Sequence, residues 1–165
     1  MTAKTDDTIT IRKGKIEDLQ AVYDLVLELA EFEKAPHEVE NTIDMMKEDG
    51  FGANPIFGFL VSEAGDTIVG LSLYYYRYST WKGKMLYLED LIVTEQFRNK
   101  GIGKKLFDAT IVEAGRSGCQ GMIWQVLDWN EPAIEFYRKY DPVLDNQWVT
   151  CRLTREQILN HNPVS

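Results

Sequence analysis

Cysteine is scarce in this chain. Cys119 and Cys151 are the only two among 165 residues, too few and too far apart for a disulfide framework or a zinc site, and both are expected to be reduced and packed. Histidine is as sparse: His37 and His161 sit in polar segments without metal-ligand spacing, so no metal is expected. No run approaches the ~20 consecutive apolar residues of a membrane span, and the residues through Asp7 are polar and lack an apolar signal segment. A soluble protein in a cytoplasmic setting is the expectation, with no membrane partner. Basic charge is also short. Eighteen Lys and Arg face 26 Asp and Glu for a net charge of −8, and residues 1–50 alone hold thirteen acidic and six basic side chains. That balance argues against a nucleic-acid partner, because phosphate backbones demand a basic footprint. A cationic amine is the natural opposite of such a surface, although a solvated acidic helix face gives the same composition.

What the chain does have is a length suited to one domain, residues 1–165, with 44% hydrophobic side chains, four Trp and eight Tyr. Residues 8–13 alternate as a short strand, and Leu19, Val22, Val26, Leu29 and Phe32 then recur at helical spacing. Ala35-Pro36 breaks that helix; residues 38–49 read as a second helix ended by Gly50, and 52–55 as loop. Strands follow at 56–62 and 68–78, joined by a turn over 63–66, and Tyr74, Tyr75, Tyr76 and Tyr78 make the second one aromatic. After a strand at 85–93, a helix carries Ile102, Leu106, Ala109 and Val112 on one face and ends near Gly115 and Gly118. A strand at 122–129, a helix at 131–140, a last strand at 148–153 and a helical tail after Thr154 complete the order. It predicts an α/β (α+β) domain with a mixed central sheet of about seven strands flanked by helices. The two strands flanking the third main helix must be parallel, since a helical crossover joins them.

Between the 85–93 strand and the helix that follows it lies Phe97-Arg-Asn-Lys-Gly-Ile-Gly103. Gly101 and Gly103 allow the backbone to approach a ligand, and the first N–H groups of the following helix point toward any anion placed there. Residues 98–105 carry Arg98, Lys100, Lys104 and Lys105 with no acidic residue, against the charge of the whole chain. The spacing is neither a P-loop nor a dinucleotide fingerprint, and by itself it also fits a plain tight turn with solvated lysines.

In context the loop resembles the pyrophosphate loop of the GCN5-related N-acetyltransferases. Further segments narrow the likeness: Glu28-Leu-Ala-Glu-Phe-Glu-Lys34, Asp49-Gly-Phe-Gly52, Tyr78-Ser-Thr-Trp-Lys-Gly83, Tyr87-Leu-Glu-Asp90, Val126-Leu-Asp-Trp-Asn130 and Phe136-Tyr137. The chain is similar to diamine acetyltransferases of the spermidine/spermine type, most of all to their thialysine branch. The resemblance implies the acyl-CoA N-acyltransferase fold, acetyl-CoA as co-substrate, a small-molecule amine as acceptor and a homodimer. It implies that the pantetheine arm bonds like an added strand in a gap between the 87–93 and 122–129 strands, at Leu91, Ile92 and Val93. The pyrophosphate would rest on Arg98, Asn99, Lys100, Gly101, Ile102 and Gly103, with Lys104 behind it, and Asn130 would reach the pantetheine. Asn130 also suits a helix N-cap before Glu131-Pro132.

Acetyl transfer to an amine needs a neutral nitrogen, whereas an alkylammonium has a pKa near ~10. A base must therefore take a proton. No cysteine or serine nucleophile motif is present, so direct attack in a ternary complex is expected. The resemblance makes Glu89 the collector of that proton and Tyr137 both a cofactor contact and the general acid for the departing thiolate. It places Glu33, Trp81, Glu89, Asp90 and Trp148 around the amine. Tyr137 and the tryptophans also read as ordinary core. Strand alternation puts Glu89 and Asp90 on opposite faces, so only one of them should face a given cleft. Two departures from the family pattern stand out. Tyr140-Asp141-Pro142 occupies a turn where many of these enzymes have Gly, and Ser79 with Lys82 replaces the more acidic turn of the polyamine enzymes, which favours a shorter amine.

Overall fold

A computed structural model of the chain describes residues 8–161. The polar segment through Asp7 and the end of the helical tail lie outside the described residues. Contacts divide the chain into Met1–Gln125 and Val126–Ser165.

The first unit holds one sheet in the order β1-β2-β3-β4-β5. Its strands are β1 (Ile9–Lys13), β2 (Gly58–Ala64), β3 (Thr67–Ser79), β4 (Gly83–Val93) and β5 (Met122–Trp124). The first four pair antiparallel, and β4 pairs with β5 in parallel, as the intervening helix requires. The sheet has five strands rather than about seven. β5 stops at Trp124, not 129, and residues 148–153 form no strand. Alternation alone does not make a strand: its N–H and C=O groups need a partner edge.

One face of the sheet is covered by α1 (Leu19–Phe32) and α2 (Ile43–Phe51). Leu19, Val22 and Leu25 of α1 and Met46 of α2 form a buried cluster with Phe59, Val61, Leu71, Leu73 and Ile92. Phe32, expected on that stripe, is exposed. The second helix starts later than the sequence suggested, at Ile43, because the Thr42 side chain caps it by accepting the Met45 N–H at 3.2 Å. It also runs past Gly50 to Phe51. The opposite face is covered by α3 (Ile102–Arg116), which buries Ile102, Leu106, Phe107, Thr110, Glu113 and Ala114. Val112, expected on the inner face, is exposed. A hydrogen bond of 2.6 Å between Ser72 and Thr110 joins β3 to α3, and Phe107 meets Trp124 edge to face.

The second unit contains α4 (Glu131–Arg138) and α5 (Arg155–Leu159). α5 begins with a capping box, in which the Thr154 hydroxyl accepts the Gln157 N–H and the Gln157 side chain accepts the Thr154 N–H. Cys151 is exposed rather than packed, and neither cysteine is bridged. Among the described residues no helix is long and apolar enough to cross a membrane.

Candidate active site

The centre of the site is a break in regularity. β3 and β4 pair Leu73 with Asp90 but Tyr74 with Leu88, so Glu89 is an extra residue, a β-bulge on β4. The consequence runs along the strand. Tyr87 stacks on Tyr75, with ring centroids 5.0 Å apart, and Ile92 packs in the α1 core. Side chains an odd number of residues apart share that face only because the inserted residue shifts the phase of alternation. Glu89 and Asp90 therefore both line one cavity of about 560 Å³, together with Tyr23, Asn41, Asp49 and Tyr75. Strict alternation had put the two carboxylates on opposite faces; the bulge corrects that.

Asp90 feels its acidic neighbours. Asp90 is pushed up to about 7, first by burial and then by the charges of Glu89 and Glu33. Burial also raises Glu89 and Glu33, and it raises the phenols of Tyr75 and Tyr87 with help from the Glu89 charge. Glu33 is the C-cap residue of α1, which brings it to the same acidic group. Three expected residues thus converge. A cavity edged by carboxylates and a tyrosine pair can hold a cation and accept a proton from it.

β4 continues past the bulge without β5. The parallel pairing ends at Leu88 and Trp124, leaving residues 89–93, with Leu91, Ile92 and Val93, beyond the last β5 partner. The glycine loop follows. Residues Glu95–Phe97 form a 3-10 turn, Asn99 and Gly101 take left-handed backbone conformations (φ 61° and 76°), and Gly101 is the N-cap of α3. Nothing lies within 4 Å of where a Gly101 Cβ would sit. Glycine at 101 is thus favoured by backbone conformation and leaves open space in front of the helix. A helix leaves its first N–H groups, here those of Ile102 and Gly103, without an intrahelical acceptor. Lys104 pairs with Asp108 at 2.6 Å and Lys100 lies over the Phe97 ring. Arg98 differs from expectation: its N–H closes on the Glu95 carbonyl at 3.2 Å, and its guanidinium bonds within the protein.

Trp81 does not line the cavity. It sits at the β3–β4 hairpin tip, 85% exposed. There the Ser79 hydroxyl accepts the N–H groups of Trp81 and Lys82, so Ser79 has a turn-forming role. In the second unit, Asn130 caps α4 by accepting the Ala133 N–H at 3.3 Å, which realises the N-cap reading. Tyr137 is buried, its phenol pushed up to about 12 by that burial, with the Phe136 ring 5.1 Å away. Asp141 adopts φ 50°, a left-handed geometry uncommon for a residue other than glycine, just past the end of α4. Trp148 is 77% exposed.

The sequence reading overlooked Tyr23, Asn41, Asp49 and Tyr75 as cavity walls. Tyr75 lay in the noted aromatic strand; the other three come from helices and a loop folded over the sheet, which no local spacing reveals. A family model described as "Acetyltransferase (GNAT) family" matches residues 19–141, across the boundary between the two units. The mouse thialysine N-epsilon-acetyltransferase is 40% identical over 157 residues, covering 88% of this chain and 92% of that protein. A human spermidine/spermine N(1)-acetyltransferase-like protein 1 is 32% identical over 93% of this chain and 24% of its own length. An aminoglycoside acetyltransferase from an uncultured soil metagenomic sample shares the fold, with a TM-score of 0.74 at 22% identity over 92% of this chain and 99% of that one. On the strength of the family model and the relatives' identity over most of its length, the chain belongs to the acetyltransferase (GNAT) family and is an N-acetyltransferase.

Proposed function

We propose that the enzyme transfers the acetyl group of acetyl-CoA to a primary amine of a small molecule, a thialysine-like amino acid or a diamine, by direct attack with both substrates bound. The observation that carries this reading is the bulge that turns Glu89 and Asp90 into one cavity beside Glu33. The names of the relatives support the amine class. The left-handed Gly101 with open space before it and the strand edge at 91–93 fit an acyl-CoA; Asn99 through Lys104, Leu91, Ile92, Val93, Asn130 and Tyr137 would hold it, with Arg98 bracing the loop from within the protein.

Bound acetyl-CoA supplies an activated acetyl thioester. Glu33, Glu89 and Asp90 attract the ammonium form of the acceptor and lower the cost of bringing it in from water. Glu89 then takes the proton that makes the nitrogen nucleophilic, through water, and burial raises its carboxylate above the ordinary range, which makes it a stronger proton acceptor. The C–N bond forms as the C–S bond breaks. Tyr137, which holds its proton well above neutral pH, returns a proton to the leaving thiolate.

A spermidine/spermine enzyme is the second reading, favoured by three carboxylates whose field suits a multiply charged chain. We further propose that residues 1–165 act as one catalytic domain in the cytoplasm, as a homodimer. Tyr78 and Trp81 on the hairpin are 76% and 85% exposed, a surface of the kind a second copy covers. On this reading Trp81 and Trp148 line the amine channel only in the assembled dimer. Thiol release measured with thialysine, lysine, putrescine, spermidine and spermine tests the proposal. The expected result is acetylation of at least one of them, with thialysine ahead of spermine; no thiol release with any amine would overturn it.

A further inference from the structure

Glu28 lies on α1, outside the acidic cavity group. One of its oxygens, Oε1, accepts the Glu95 N–H at 2.9 Å and Arg98 Nη2 at 3.2 Å. Arg98 donates from Nε to the Val93 carbonyl at 2.9 Å, and its guanidinium stands 5.4 Å from the centroid of Phe32, also on α1. Both groups are about two-thirds buried. The Glu28–Arg98 pair thus ties together the end of β4, the 3-10 turn that leaves it and the residue just before left-handed Asn99. The same helix ends at Glu33 beside the amine cavity.

We propose that Glu28 and Arg98 are positioning residues that hold the acyl-CoA loop in its binding geometry and join it to the helix bearing part of the amine site. This rests on the proposed acetyl-CoA reading of the loop. Backbone amides recognise an anion only when their directions are already set, because ordering a mobile loop on binding reduces affinity. The Arg98 charge is met by Glu28, so the guanidinium acts on the loop backbone, and the anion is left to the amides and the helix end.

A double-mutant cycle separates this role from a phosphate-contacting arginine. Coenzyme A affinity is measured by calorimetry on the full chain for wild type, Glu28→Ala, Glu28→Gln, Arg98→Met and the Glu28→Ala/Arg98→Met pair, with thermal melts alongside. Positioning predicts about tenfold weaker binding in Glu28→Ala and in Arg98→Met, the scale of a charge-assisted bond at a partly exposed site. It also predicts a double variant within about threefold of the weaker single, because the two act as one unit. Glu28→Gln keeps the accepting oxygen and should recover most of the affinity. In turnover the effect should fall on the acetyl-CoA KM, with the amine KM changed less than about twofold. A phosphate-contacting Arg98 would instead leave Glu28→Ala at or above wild-type affinity, since that change releases the cation. That outcome, or additive losses in the double variant, overturns the proposal. Absence of coenzyme A binding by folded wild type would sink the acetyl-CoA reading itself.

Discussion

Replacing Asp90 by asparagine should make the protein more stable and less active, with a stability gain that depends on pH. The Asp90 carboxyl sits at about 7 in the folded chain against 3.8 for an ordinary aspartate, because it is buried beside Glu89 and Glu33. Below about pH 4 it is protonated folded or unfolded, and asparagine is a near-equivalent. As pH rises from 4 to 7 the unfolded chain gives up the proton while the folded chain keeps it, so wild-type stability falls through that window. Above 7 the full cost remains. At about 1.4 kcal/mol per pH unit the difference is at most ~4 kcal/mol. Asp90 is only half-buried by its exposed area, so screening and relaxation bring this to roughly 2 kcal/mol. Urea unfolding at pH 4 and pH 8 reads it. Asp90→Asn should match wild type within about 0.5 kcal/mol at pH 4 and exceed it by roughly 2 kcal/mol at pH 8, or roughly 4–8 °C in Tm. Turnover should fall, because the amine loses an anionic neighbour. An equal gap at both pH values, or a less stable variant at pH 8, would refute the claim that the bulge buries this carboxylate against two others.

Tyr137→Phe keeps the ring beside Phe136 and removes the hydroxyl; kcat should drop by roughly 10²-fold with little change in Tm, and activity within a factor of two of wild type would return Tyr137 to a packing role. Gly101→Val forces a β-branched residue to φ 76° and fills the space before α3, so the acetyl-CoA KM should rise at least about tenfold in a folded variant. Unchanged coenzyme A affinity would remove the loop from the cofactor site.

The parts of the fold legible in the sequence are those set by local rules. The glycine loop was readable because left-handed backbone at 101 selects glycine, and α3 because Ile102 and Leu106 are a turn apart. The parallel β4–β5 pair followed from chain connectivity. Two of the departures need a second segment to decide them. Residues 148–153 read as a strand but find no ladder among the described residues, and β5 ends at Trp124 although apolar Val126 and Leu127 follow Gln125. Glu28 was visible only as part of a family segment, since its partners, Glu95 and Arg98, are about seventy residues away.

Glu89 shows why such a non-local feature can decide the chemistry. A bulge is a relation between two strands, so no spacing within residues 83–93 announces it. Yet the extra residue does three things at one point of the sheet. It shifts the phase so that Ile92 joins the α1 core while Asp90 turns to the same face. It adds its own carboxylate to the cavity, which raises Asp90. It also falls one residue after the last β4–β5 pair, where added twist favours separation of the strands and leaves the edge at 91–93 beyond β5. On the proposed reading, an amine-holding acid group and an acyl-CoA edge would meet along a single strand, their separation fixed by backbone register instead of by flexible side chains. Such an arrangement would favour the proposed direct transfer between two bound substrates, because a fixed register would hold the two sites in place before either substrate arrives.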